Sequence, residues 1–420
     1  MENQNLLKPE PSPVFRWIIL IFVSLAMFGN YYIYDSISPL ADLLVKQLNF
    51  TDSNIGLLQG IYSVPNVIMV LIGGIIIDKI GTRISTFIFT ALCLIGALIT
   101  ASSTELTFMA IGRLVFGLGA ESMIVAITTV IGRWFKGRQL SFAFGLNLTL
   151  ARLGSFAALN SPTWARGLYD NWQYPLLISV GAAIISIASV IVYWGMDAYA
   201  EKNYSLRPVP KQDKIIIREI FSFSKSYWFV VLLCVTFYSG IFPFQTFAVK
   251  FFIDVHGTSR EFGGFLSSML TLSAMVLTPL FGLFADYIGK RSLLMMLGSL
   301  LLVPVYLLMA YTSVTLYIPM AMMGLAFSLI PAVMWPSVAI IVDESKLGTA
   351  YGLMTMIQNI GLAGFNFIIG WANDFSGNYT MGMWIFSSLG FFGLLFAFLL
   401  RRSEQGPGGH GLEKGIKNSP

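Results

Sequence analysis

Charge is what this chain of 420 residues lacks most. Asp, Glu, Lys and Arg make up 11% of it, against about 25% in a soluble domain of ordinary composition. It holds only two histidines, His256 and His410, and two cysteines, Cys93 and Cys234. Lone thiols inside apolar runs support no disulfide framework and no cysteine-based metal site. With His256 at the end of an apolar run and His410 in the tail, there is no H-E-x-x-H helix, no buried base for a serine nucleophile and no metal cluster. An enzyme is therefore not expected, and neither is a cofactor or a metal. A cleavable leader is not expected either. The first thirteen residues, MENQNLLKPEPSP, are polar, and the apolar run behind them lacks a small-residue cleavage site after a short core, so it reads as a retained span.

What the chain has is oil. It is 56% hydrophobic with a mean hydropathy of +0.73. Apolar stretches of about 20 residues recur along it, each long enough to cross a hydrocarbon core of about 30 Å. About twelve are expected, near 14–43, 53–78, 84–103, 106–134, 139–163, 173–195, 226–253, 261–286, 292–311, 314–342, 347–372 and 380–400. The fold class is an all-α membrane protein embedded in a lipid bilayer. The longest polar interval, 196–225, carries Pro208, Pro210 and many charges, and reads as a linker between a six-helix half at 14–195 and another at 226–402. Residues 1–13 form a short leading segment, and the Gly- and Pro-containing tail 403–420 is expected to be disordered.

Lys and Arg in the loops set the orientation. Lys8, Arg16, Lys79, Arg83, Arg133, Lys136, Arg138, Lys290, Arg291, Lys346, Arg401 and Arg402 fall on one side, with Lys202, Arg207, Lys211, Lys214, Arg218 and Lys225 of the linker. The other side has Lys46, Arg166, Lys250 and Arg260. Both termini are thus expected in the cytoplasm. The net charge of +5 is a topology signal, and no nucleic-acid partner is read from it.

The halves repeat. GGIIIDKIGTR (73–83) and FGLFADYIGKR (281–291) both fit G-x-x-x-D-x-x-G-x-R. Gly74, Asp78, Gly81 and Arg83 correspond to Gly282, Asp286, Gly289 and Arg291, about half a chain apart, as a duplicated six-span unit requires. The glycines permit a tight turn and close helix approach. The acids and bases are expected to pair as latches that hold one conformation and break in another. With its twelve spans, central linker and duplicated signature, the chain resembles the major facilitator superfamily along nearly its whole length. GRLVFGLGA (112–120), through Arg113, Gly117 and Gly119, is similar to that superfamily's fourth-span motif. The resemblance implies an alternating-access carrier with its site near the midplane, between the halves.

Two charges stand where lipid depth should forbid them. Glu121 lies about 22 Å along the fourth span and Arg152 about 20 Å along the fifth, both near mid-bilayer. A charge at that depth costs about 2.5–3.5 kcal/mol on insertion scales, so it should face a cavity or a partner. Either the two neutralise each other as a structural bridge, or they hold the opposite charges of a zwitterionic substrate. Here a closer resemblance bears on the choice. NYYIYDSISPL, GRLVFGLGAES, FKGRQLSFAFGLNLTLARLGS, FYSGIFPFQTFAVKFF and VMWPSVAIIVDESKLGTAYGLMTMIQNIGLAG are similar to the lysosomal dipeptide transporter branch of the superfamily. That resemblance implies a dipeptide uniporter, with Arg152 on the peptide carboxylate and Glu121 on its ammonium. Arg suits the role because its planar fork matches a carboxylate and keeps its charge. Two fixed charges act as a ruler, since an extended dipeptide spans about 7 Å and each further residue adds about 3.5 Å.

Tyr31, Tyr34, Tyr238, Trp335, Gln358 and Asn359 lie at similar depth and are candidate walls, each also readable as packing or interface-belt residues. Asp35 and Arg113 are candidate gating residues, and Asp35 or Glu121 a candidate proton site. The proton-coupled oligopeptide carriers bear a charged E-x-x-E-R cluster on their first span. This chain has FGNYYIYDSI there, so that coupling device is not supported. The rival carriers are those of an organic anion, amino acid, sugar or drug. A substrate-less sensor with a carrier fold is a rival of another class. A monomer is expected, and the sequence names no accessory subunit. ENQNLL (2–7) fits an acidic dileucine sorting pattern, which suits a lysosome, and NFT (49–51) and NYT (378–380) fit glycosylation sequons. The short loops and compact tail favour a prokaryotic plasma membrane.

Overall fold

The computed structural model describes residues 8–135, 139–205 and 223–415. The sorting pattern at 2–7, the bases Lys136 and Arg138, and the linker bases Arg207, Lys211, Lys214 and Arg218 lie outside the described residues. Among the described residues the chain is helical throughout, in fourteen α-helices. They are α1 (Pro13–Asp35), α2 (Ala41–Leu48), α3 (Asp52–Gly60), α4 (Ser63–Ser102), α5 (Leu106–Phe135), α6 (Leu140–Leu159), α7 (Ser161–Trp164) and α8 (Gln173–Asn203), then α9 (Lys225–His256), α10 (Arg260–Ile288), α11 (Arg291–Tyr311), α12 (Tyr317–Ile341), α13 (Leu347–Ser376) and α14 (Thr380–Glu404).

Local chemistry sets the boundaries. Ser12 caps α1 by accepting from the Phe15 amide at 3.2 Å, with Pro13 at the first helical position. Pro39 breaks the first span just past Asp35 into a single turn of 3-10 helix, and α2 completes the crossing. Thr51 and Asn54 close a reciprocal capping box at the start of α3. The 40 residues of α4 carry two spans, folded back at Gly81 with φ 82 and ψ 164. Gly289, its counterpart, has φ 72 and separates α10 from α11. Only glycine occupies that region at low cost, so the duplicated signature encodes a duplicated turn. Gly282 has open space where a Cβ would stand, so close helix approach is not its reason.

Eleven segments among the described residues are long and apolar enough to cross a bilayer, one of them running through the Gly81 turn. The apolar belt is visible on the outer surface: Ile68, Ile75, Ile184, Ile191, Leu280 and Leu283 are all exposed, as lipid-facing residues should be. Packing repeats between the halves. α1 lies on α6 and α8 as α9 lies on α13 and α14, and α4 pairs with α5 as α10 pairs with α12. The halves meet along α3 against α13 and α6 against α10, which are equivalent pairs under the duplication.

Two expectations differ. The interval 196–203 is helical, because α8 runs on to Asn203. It is held there by the buried Asp197, which takes Arg83 at 3.1 Å and Arg133 at 3.2 Å. The tail is seated rather than free as far as Gly415. His410 binds Glu404 at 2.8 Å, the amides of Lys290 and Arg291 donate to the carbonyls of Glu413 and Leu412, and Leu412 is fully buried. Glycines that suggested disorder instead let the chain fold back, with Gly411 at φ 97.

Candidate functional site

Five helices bring their small or polar faces together at mid-depth. α1 contributes Asn30, Tyr31, Tyr34 and Asp35; α5 contributes Phe116, Ala120, Glu121 and Ile124; and α6 contributes Arg152 and Ser155. From the second half, α9 supplies Tyr238, Phe242 and Gln245, and α13 supplies Thr355, Gln358 and Leu362. Tyr62, Thr271 and Trp335 complete a cavity of about 280 Å³. Each set follows the three- and four-residue spacing that keeps side chains on one helix face. The Pro39 break lets α1 end at Asp35 inside the cavity rather than run past it.

The two midplane charges both line this cavity and do not pair. Among the described residues, neither the Glu121 carboxylate nor the Arg152 guanidinium makes a hydrogen bond or an ion pair. Arg152 instead contacts two rings, 5.4 Å from the centroid of Tyr31 and 5.4 Å from that of Phe327. Cation–π contact of this kind orients a guanidinium while leaving its in-plane donors unspent. Phe327 packs in turn against Phe237 and Phe242, and the neighbouring wall is tied by hydrogen bonds. The Trp335 indole donates to the Tyr238 hydroxyl at 2.9 Å, and the Tyr351 hydroxyl donates to the Trp335 carbonyl at 3.0 Å. Tyr34 packs edge-on to Tyr62 at 4.8 Å. What the arrangement can do is bind: it presents a free acid, a free base and an aromatic wall.

Of the residues singled out from the sequence, Tyr31, Tyr34, Asp35, Glu121, Arg152, Tyr238, Trp335 and Gln358 are brought together here. Asn359 is not among them. It is turned into the helix packing, 1% exposed, and donates to the Thr355 carbonyl at 3.0 Å. Arg113 also stands off the cavity. Its guanidinium, 1% exposed, donates to the carbonyls of Leu58 (3.1 Å), Ile33 (3.0 Å) and Tyr34 (3.3 Å) and to Gln59 Oε1 (2.8 Å). It thereby ties α5 to the end of α1 and to α3. The sequence reading missed Asn30, Tyr62, Phe116, Ser155, Phe242, Gln245, Thr271 and Thr355. Several were within reach of a face rule: Phe242 and Gln245 lie four and seven residues past Tyr238, and Ser155 three past Arg152.

The loop signatures differ between the halves. Asp286 pairs with Arg291 at 2.7 Å within its own loop. Arg83 instead reaches Asp197 and Glu201 on α8. The closed seam is at the face away from the termini. There Arg260 grips the buried Asp42 through two bonds of 3.1 and 2.7 Å. Lys250 binds Asp52 and Asp254, each at 3.0 Å. Asn373 donates to Asp52 at 3.0 Å, and Asp374 accepts from the amides of Asp52 and Ser53. Burial, reinforced by Asp52 and Asp254, pushes the Tyr379 hydroxyl well above the ordinary phenol range, so it stays a neutral donor to Asp254. A second cavity of about 390 Å³ shares Arg152, Tyr238 and Trp335 with the first. Its other walls, from Gly145 to Thr149 on α6 and from Ala274 to Pro279 on α10, lie on the side of the termini.

Comparison with known proteins agrees with this architecture. The model of one protein family, described as Major Facilitator Superfamily, matches residues 23–259 and 244–419. The chain is 32% identical over 361 residues to the lysosomal dipeptide transporter MFSD1 of Danio rerio, covering 83% of this chain and 78% of that protein. It is 30% identical over 409 residues to the lysosomal dipeptide transporter MFSD1 of Homo sapiens, covering 93% and 87%. Among solved structures, a bacterial homologue of the human lysosomal transporter Spinster, in an inward-facing and unoccupied conformation, superimposes with a TM-score of 0.73. That likeness, at 14% identity over 94% of this chain and 98% of the other, is one of fold.

Proposed function

We infer that this chain, which belongs to the Major Facilitator Superfamily, carries dipeptides across its membrane by alternating access. Membership makes it a multi-pass membrane transporter rather than an enzyme. The dipeptide rests on one observation: an acid, Glu121, and a base, Arg152, line one cavity without neutralising each other. A buried structural bridge would close on itself, because a lone charge in a low-dielectric site is costly. Left open, the pair fits a substrate that brings its own opposite charges. The carboxylate end docks on Arg152, the ammonium end on Glu121, and Tyr31, Tyr34, Tyr238, Trp335 and Gln358 wall the backbone between. The names of the MFSD1 relatives support the same cargo.

The sealed face with the Asp42–Arg260 clasp is then the external or lumenal one, both termini are cytoplasmic, and this conformation opens inward. The short loops favour a prokaryotic plasma membrane, with a lysosomal membrane as the alternative. Transport is uniport. Uptake of a labelled dipeptide into proteoliposomes tests this, with and without an imposed proton gradient. The expected result is saturable uptake that stops at equal concentrations and ignores the gradient. Accumulation above equilibrium, driven by acid outside, would overturn uniport and make Asp35 or Glu121 a proton carrier. Uptake of a sugar, an organic anion or a single amino acid in place of dipeptides would overturn the cargo.

A further inference from the structure

The second cavity has no part in the account so far, yet it shares a wall with the first. Arg152 is in that wall: its guanidinium carbon lies 5.4 Å from the ring of Tyr31, which lines the first cavity, and 5.4 Å from that of Phe327, which lines the second. Tyr238 and Trp335 belong to both. A carboxylate bound by Arg152 is therefore held at the junction. In a dipeptide, the side chain of the C-terminal residue starts two bonds from that carboxylate carbon, about 2.5 Å away. It must leave the junction by one cavity or the other.

The two differ in chemistry. The first contains Asp35 and Glu121 and must hold the peptide unit and the ammonium. The second, at about 390 Å³, is lined by Leu148, Ala274, Met275, Phe327 and Pro331, with hydroxyls only at Thr149, Thr278 and the shared Tyr238. Among its lining residues Arg152 is the only one with a permanent charge, and that charge repels a cationic side chain. Resting on the dipeptide reading above, we propose that the second cavity receives the side chain of the C-terminal residue and selects large apolar ones. Phe327 and Met275 provide ring and thioether contacts suited to an aromatic or long aliphatic guest.

The test compares Ala-Ala, Ala-Phe and Ala-Lys by direct binding to the purified full chain, then repeats the series on Gly145→Leu. A Cβ at Gly145 meets nothing within 4 Å, so the leucine grows into the cavity without displacing the backbone. The wild type should bind Ala-Phe at least about tenfold tighter than Ala-Ala, since a buried phenyl ring gains well over the one step of ten that this requires. Ala-Lys should bind no tighter than Ala-Ala. In Gly145→Leu the Ala-Phe to Ala-Ala ratio should fall below about threefold. Equal wild-type binding of Ala-Ala and Ala-Phe overturns the inference and leaves the dipeptide reading standing. Ala-Lys as tight as Ala-Phe overturns the apolar class. A ratio unchanged by Gly145→Leu places the ring elsewhere and also overturns it. Failure of all three peptides to bind the wild type overturns the dipeptide reading itself.

Discussion

Arg113 and Glu121 share α5, and their different surroundings decide what each does. Four donors of Arg113 are consumed by the carbonyls of Ile33, Tyr34 and Leu58 and by Gln59, so it can offer a substrate little. Glu121 has no partner among the described residues, so it can offer everything. Removing Arg113 strips a bond from several buried acceptors at once, each worth about 1–3 kcal/mol when left unsatisfied. Arg113→Ala should therefore destabilise the protein by at least about 3 kcal/mol. Thermal unfolding in detergent checks this, with Arg113→Lys expected to recover only a fraction, because one ammonium cannot reach acceptors fanned across two helices. A gating residue of no structural weight would leave the melting temperature unchanged. The sequence placed Glu121 at mid-bilayer and made Arg113 a candidate gating residue. It could not show which was satisfied, because the acceptors of Arg113 are three backbone carbonyls and the Gln59 side chain, on helices some 54 to 80 positions away.

At the scale of elements, the seam at the face away from the termini is what holds this conformation. Arg260 on α10 to Asp42 on α2, and Lys250 on α9 to Asp52 on α3, are ion pairs between halves. Asp42 is 2% exposed, so its pair with Arg260 is worth more than a surface bridge. Arg260→Ala should shift the population toward the state open on that face. With Cys93 and Cys234 replaced, a cysteine at Ser38, which is buried under the seam, should react at least about tenfold faster with a membrane-impermeant thiol reagent in the Arg260→Ala background, as about 1.4 kcal/mol of lost pairing predicts. An unchanged rate would mean that the seam does not govern the equilibrium. None of these pairs was legible in the sequence, since each joins residues about two hundred positions apart. The helices and the Gly81 and Gly289 turns were legible, because apolar length and positive-φ glycine are local signals. The tail was misread for the same reason: glycine content is local, while the groove that receives Leu412 is not.

For the whole molecule, the duplication explains why the site lies where it does. Two similar halves meet along α3–α13 and α6–α10, and the cavity between them draws its walls from both. That is where Glu121 and Arg152 from one half face Tyr238, Trp335 and Gln358 from the other. On the proposed function, the first half would read the charges of the substrate and the second would supply the surface, so that substrate bound between them couples the two. The account stands on whether Glu121 and Arg152 read the two ends of a peptide. The direct measurement is the affinity of one dipeptide in three forms, free, N-acetylated and C-amidated, for wild type, Glu121→Gln and Arg152→Ala. In wild type each cap should weaken binding by at least about thirtyfold, since it leaves a buried charge unpaired at a cost of about 2 kcal/mol or more. Amidation should then matter little to Arg152→Ala, and acetylation little to Glu121→Gln, while the other cap keeps its effect in each. Equal binding of free and capped dipeptides by the wild type would contradict the account.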